Sequence, residues 1–200
     1  MNCSPSLVLA IDPGIRNLAY CVMDAHGNVI EINRMDLFNG EEIVVPQVFH
    51  QIYSWCEQNQ SVFDLCSHIV CEKQYMNSKI SISWCLLVVE TVIRCFAKEK
   101  FVHVHAMSVK RAYNTSTGDY RKNKQMAVQR ALSMCPLLLG TSTCHTKIDD
   151  LCDAYLLAHF FTFHLQQHIN FSRLGLEVPD KDDNAVHVTT PSPTSKKTSV

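Results

Sequence analysis

The run Leu7-Val8-Leu9-Ala10-Ile11 carries one carboxylate, Asp12, at its end, and Pro13-Gly14 turns the chain immediately afterwards. An ionised acid closing an apolar segment costs several kcal/mol unless a cation compensates it. Glu72 stands in the same relation to His68-Ile69-Val70-Cys71, and Asp149, Asp150 and Asp153 open a further apolar stretch. On a helix advancing about 100° per residue, Asp150 and Asp153 project from one face a turn apart, where like charges repel unless a cation lies between them. Each acid also has a plainer role open to it. Asp12 can cap its own turn, Glu72 can pair with Lys73 or Lys79, and Asp149 can complement a helix N-terminus. Four carboxylates ending separate apolar elements (Asp12, Glu72, Asp150 and Asp153) are better explained by shared metal ions than by four coincidences. Oxygen-only ligation suits Mg2+, or Mn2+ in its place, rather than zinc. Two such ions about 3.5–4 Å apart activate water and stabilise the leaving oxygen of a phosphoryl displacement, so the acids point to chemistry on phosphate esters.

The cations fit the same picture. Net charge is −1, which excludes a chain that binds nucleic acid through overall basicity. Yet between Ser108 and Arg130 lie six cations, Lys110, Arg111, Arg121, Lys122, Lys124 and Arg130, against the single acid Asp119. Such a stretch makes a polyanion-binding edge beside an acidic site. Lys122 and Lys110 are placed to offset charge developing on a scissile phosphate, or else they are solvated loop cations. The histidines carry less. His164 and His168 share a helix face with His159 a turn before, but no His-Glu-x-x-His pattern accompanies them, and core packing is expected. His103 and His105 alternate on a short strand and are expected to line the cleft.

The elements that must position these groups follow from hydrophobic periodicity. Residues 6–12 read as a buried central strand, 18–23 as a second and 29–35 as a third, with Asp24-Ala25-His26-Gly27-Asn28 as a hairpin loop between the last two. A helix is predicted over 42–59, a strand over 68–71, a long apolar helix over 81–98 and a short strand over 101–105. Residues 108–124 read as a polar loop or short helical piece, 124–134 as a helix, and 149–168 as the last long helix. Three antiparallel strands followed by strands alternating with helices predict an α/β fold, a mixed sheet covered on both faces.

At 200 residues, 46% apolar and 18% charged, the chain suits one soluble domain, expected over 1–178. The stretch 179–200 lacks apolar groups and reads as a disordered polar tail. No uncharged stretch reaches the roughly 18 residues of a membrane span, and no basic, apolar leader opens the chain, so neither a membrane protein nor a secreted one is expected. The ten cysteines include no Cys-x-x-Cys pair. Cys21, Cys71, Cys85, Cys95 and Cys152 lie in apolar runs and are expected to be reduced, buried thiols. No glycine-rich phosphate cradle follows the first strand, which argues against an ATP-binding relative.

Ile11-Asp12-Pro13-Gly14 with Asn17, then Cys71-Glu72-Lys73-Gln74, Val109-Lys110-Arg111, Lys122, and Lys147-x-Asp149-Asp150-x-x-Asp153-Ala154 form an ordered set. That set resembles the Holliday junction resolvases related to RuvC, and most of all their poxvirus branch, over residues 6–168. The resemblance implies a ribonuclease H-like fold with a five-stranded mixed sheet. It also implies a homodimeric, Mg2+-dependent endonuclease that nicks opposite strands of a four-way DNA junction symmetrically, leaving 5′-phosphate and 3′-hydroxyl ends. Carried over by motif, the catalytic acids are Asp12, Glu72, Asp150 and Asp153, with Asp149 adjacent to them. Lys122 is the catalytic lysine, with Lys110 and Lys124 as competitors. Lys110, Arg111, Arg121 and Lys124 would contact DNA, and the helix Ser81–Arg94 would form the dimer contact. The implied setting is the infected-cell cytoplasm, where concatemeric genomes are resolved. A nuclease of the same fold acting on RNA–DNA hybrids, and a catalytically silent junction-binding module, are the alternatives.

Overall fold

The computed structural model describes residues 6–37, 44–74, 80–141 and 148–165. Its strands are β1 (Leu7–Asp12), β2 (Asn17–Met23), β3 (Val29–Asp36), β4 (Cys66–Lys73) and β5 (Phe101–His105). Its helices are α1 (Val45–Gln58), α2 (Gln60–Leu65), α3 (Ile80–Ala97), α4 (Ala106–Ala112), α5 (Tyr120–Met134), α6 (Leu138–Thr141) and α7 (Ile148–Phe160), the last running into a π-helical turn, Phe161–Leu165.

The five strands form one sheet in the order β3-β2-β1-β4-β5. β1–β2 and β2–β3 are antiparallel, whereas β1–β4 and β4–β5 are parallel. This is the mixed sheet expected from the sequence. β1 is central because both its faces are apolar: Val8 and Ala10 enter one core with α4–α7, while Leu9 and Ile11 enter the other with α1–α3. Side chains alternate along a strand, so Asp12 continues the Val8–Ala10 face. Val70 shares that core and Ile69 and Cys71 the opposite one, which puts Glu72 on the same face as Asp12. The parallel register pairs Ile11 with Cys71, so the two acids emerge side by side where the strands run out.

Two glycines shape the hairpins. Gly27 takes φ 87° in the β2–β3 loop, where Asp24 accepts from the backbone N–H groups of His26 and Asn28 at 2.8 and 2.9 Å. Gly14 is required for a different reason. A Cβ there would stand 2.2 Å from the carbonyl oxygen of Asn17, so any side chain pushes the β1–β2 turn apart. Gly14→Ala is expected to destabilise the protein by about 1–3 kcal/mol, read as a lowered Tm by thermal melting; a Tm at the wild-type value would contradict the close approach.

Several expectations need correction. The polar stretch 108–124 holds a short helical piece at its start, where α4 ends, and irregular chain over 113–119, but α5 begins at Tyr120 rather than at 124 because Asp119 caps it, accepting from the Lys122 backbone N–H at 3.1 Å. Two cations, Arg121 and Lys122, sit in that first turn against the helix macrodipole, which masked the helix start. The short helices α2 and α6 carry too few turns to leave a periodic signature. Cys95 is exposed rather than buried, whereas Cys21, Cys71, Cys85 and Cys152 are buried free thiols. His103 does not line the acid cleft. It pairs in register with Cys71, on the α3 side of the sheet, and its Nε2 lies 2.8 Å from Glu90. His168, the domain boundary at 178 and the tail 179–200 lie outside the described residues.

Candidate active site

Asp12 and Glu72 form the floor of a cleft whose wall is the first turns of α7. That helix is apolar almost all round, with Leu151, Cys152, Ala154, Tyr155, Leu156, Leu157 and Ala158 buried, so it packs flat on the sheet. Packed there against β1 and β2, it carries its N-terminal acids over the end of β1, within electrostatic range of Asp12 and Glu72. Asp153 reaches deepest and Asp150 stands at the rim with its side chain 17% exposed. The four acids thus meet, as their spacing predicts.

The electrostatics record that proximity. Loss of water raises the Asp12 carboxyl well above the usual range, and the charges of Glu72, Asp153 and Asp150 push it further in the same direction. Burial and then Asp153 bring Glu72 up to about 7, although Lys110 acts to lower it. Burial likewise brings Asp153 up to about 6, opposed first by Lys124 and also by Lys110. Such carboxylates are short of positive charge.

Two lysines therefore stand beside the acids, Lys110 from α4 and Lys124 from α5. The Lys124 ammonium bonds the Asp149 carboxylate. Burial works to lower the Lys124 pKa, and this bond together with the charges of Asp149, Tyr120 and Asp153 more than reverses it, so Lys124 stays a cation. Lys122 is not brought to the acids. It lies in the first turn of α5 with its side chain exposed. Two residues along a helix is about 200° of rotation, so Lys122 and Lys124 face opposite ways. Arg111 and Arg121 are exposed and stand away from the acids along the same basic surface.

Sequence reasoning missed Arg34. Asp12 pairs with Ala19 and Ala19 with Arg34, so the three share one row across the sheet. With only a methyl group between them, the Arg34 side chain reaches over β2 toward α7, where its Nη1 lies 4.0 Å from Asp150 Oδ2. Its Nη2 donates to Asp36 at 3.1 Å. No local signal marks Arg34, since its place depends on strand register alone.

The donor set suits a hard divalent cation: all oxygens, closely grouped and under-neutralised. Among the described residues no three acids already stand in a ligating arrangement. Asp149 and Asp150 lie toward Lys124 and Arg34.

A five-stranded 3-2-1-4-5 sheet, with helices on both faces and an acid cleft where the two central parallel strands end, defines a ribonuclease H-like domain. The profile of the poxvirus A22 protein family matches residues 6–165, and the chain belongs to that family. No curated protein sequence matches it. Among solved structures, it is similar to Thermus thermophilus RuvC in complex with Holliday junction substrate (17% identical, TM-score 0.53, covering 85% of this chain and 96% of RuvC). It is also similar to the yeast mitochondrial Holliday junction resolvase Ydc2 (18% identical, TM-score 0.59, covering 86% of this chain and 85% of Ydc2).

Proposed function

We propose that this protein is a metal-dependent endonuclease that resolves four-way DNA junctions by paired, symmetric nicks. The observation that carries the reading is the meeting of Asp12, Glu72, Asp150 and Asp153 in one cleft flanked by Lys110 and Lys124. The likeness to two Holliday junction resolvases over most of their length supports the substrate class. Mg2+, with Mn2+ as a substitute, held by those four acids, would supply an activated water and neutralise charge at the scissile phosphate.

The chain's own residues do the rest. Asp12 and Glu72, fixed by the central strands, set the floor against which a phosphate is placed. Lys110 and Lys124 neutralise the phosphate oxygens as charge accumulates on them. Arg111, Arg121 and Lys122 extend a basic surface along α4 and α5 for flanking backbone. Symmetric nicks on opposite strands require two sites, hence a homodimer. The exposed Ile82, Trp84 and Leu87 on α3 support that helix as its contact. No helix among the described residues is long and apolar enough to cross a membrane. We place the work in the infected-cell cytoplasm, on concatemeric viral genomes.

The test is a synthetic four-way junction with each strand labelled in turn, incubated with Mg2+. Paired nicks at symmetric positions with ligatable ends are expected. Tight binding without scission would make the chain a junction-binding module, and preference for an RNA–DNA hybrid would make it a hybrid nuclease. In the same assay under single turnover, Lys124→Ala is expected to slow cleavage about 100-fold, and Lys122→Ala to leave the rate within about threefold while reducing the salt slope of binding by about 0.9. The reverse ranking would return the catalytic role to Lys122.

A further inference from the structure

Arg34 carries a feature that the nuclease reading does not use. Its Nη1 is buried and, among the described residues, has no hydrogen-bond partner. A buried donor left unsatisfied costs about 1–3 kcal/mol, and more when it is charged, so an acceptor belongs there. The guanidinium is pinned on its other side by Asp36, and the side chain is only 19% exposed. Nη1 itself is closed off from solvent, so an acceptor is to be sought within the protein. The acceptor within reach is the Asp150 carboxylate, whose Oδ2 stands 4.0 Å away, a small side-chain rotation short of a hydrogen bond.

We infer that Arg34 is a positioning residue for Asp150: the guanidinium fixes one carboxylate oxygen so that the other faces the divalent cation. This rests on the reading of Asp150 as a metal ligand. A ligating carboxylate held by an outer hydrogen bond keeps a single orientation, and losing such a partner typically weakens metal binding 10–100-fold. The obvious objection is that a cation beside a metal site repels the metal. Asp36 answers it, because the Arg34–Asp36 pair is neutral as a unit and leaves mainly the directed N–H bond. Ala19, fully buried between Asp12 and Arg34 in the same row, is the small residue that lets the guanidinium cross β2.

The neutrality of the pair also supplies the test. The double variant Arg34→Gln/Asp36→Asn removes both charges at once, so net charge is unchanged while the guanidinium that faces Asp150 is lost. Mn2+ binding to the DNA-free protein is measured by titration calorimetry for wild type, the double variant and Asp150→Asn. The expected result is a Kd raised roughly tenfold or more in the double variant with its Tm retained. Its nicking of a junction should recover as Mg2+ is raised, a shift in half-saturation rather than in the limiting rate. Wild-type Mn2+ affinity in the double variant, with Asp150→Asn weakened, overturns the role of Arg34 and leaves Asp150 a ligand. Wild-type affinity in Asp150→Asn overturns both. Should the double variant fail to fold, Arg34→Lys decides: its single ammonium cannot span Asp36 and Asp150 as the fork does, so weakened Mn2+ binding is expected and unchanged binding overturns the inference.

Discussion

Asp153→Asn is expected to bind a four-way junction at least as tightly as the wild type and to nick it roughly a thousandfold more slowly or worse. The substitution keeps the shape of the side chain and removes one buried charge from the wall of the cleft. Junction affinity comes from cations meeting phosphates, and a cleft one negative charge poorer repels the backbone less. Catalysis comes from the acids, and an amide oxygen is a weak substitute for a carboxylate toward a divalent ion. Asp12→Asn should behave the same way. Gel-shift binding in Ca2+ and single-turnover nicking in Mg2+ separate the two effects, and a wild-type nicking rate in either variant would remove these residues from the chemistry.

The second large effect is on stability. Burial and neighbouring acids raise Asp12 well above the carboxylate range, Glu72 to about 7 and Asp153 to about 6. A raised carboxyl pKa means the folded state binds more protons than the unfolded one between pH 4 and 7, so stability falls as pH rises across that window. For Glu72 alone, the rise from 4.5 to about 7 corresponds to on the order of 3 kcal/mol. Among the described residues the one exposed acid shifted the other way, Asp24, held low first by Asn28, lies in a solvated hairpin loop and counts for little. Metal-free protein is therefore expected to lose roughly 5–10 °C of Tm between pH 5 and pH 8. Mg2+ at pH 8 should restore it, since an ion bound only by the folded state stabilises by mass action. Asp12→Asn should flatten the metal-free slope. A flat profile in the wild type, or an unchanged one in Asp12→Asn, would contradict the shared burial of these acids.

Much of this site was legible in the sequence because its signal is local. An apolar run ended by an acid fixes both the strand and the point where a carboxylate leaves it, which is why Asp12 and Glu72 fall where expected. The spacing of Asp150 and Asp153 on an apolar helix works equally well. What depends on rotation or register was not legible. Lys122 and Lys124 differ by half a turn, and only the packing of the Ala127 and Ala131 face of α5 into the core with α7 settles which faces the acids. Arg34 arrives from two strands away by register across Ala19, and His103 is turned to the α3 face by its pairing with Cys71. An exposed Cys95 in an apolar helix shows the same limit: composition gave the helix, not the face it presents.

Crystals soaked in Mn2+ and measured at the manganese absorption edge would show whether the four acids share bound metal. Anomalous peaks are expected in the cleft within about 2.0–2.3 Å of oxygens from Asp12, Glu72, Asp150 and Asp153. Manganese elsewhere on the chain, with those four carboxylates turned away from one another, would contradict a shared metal site.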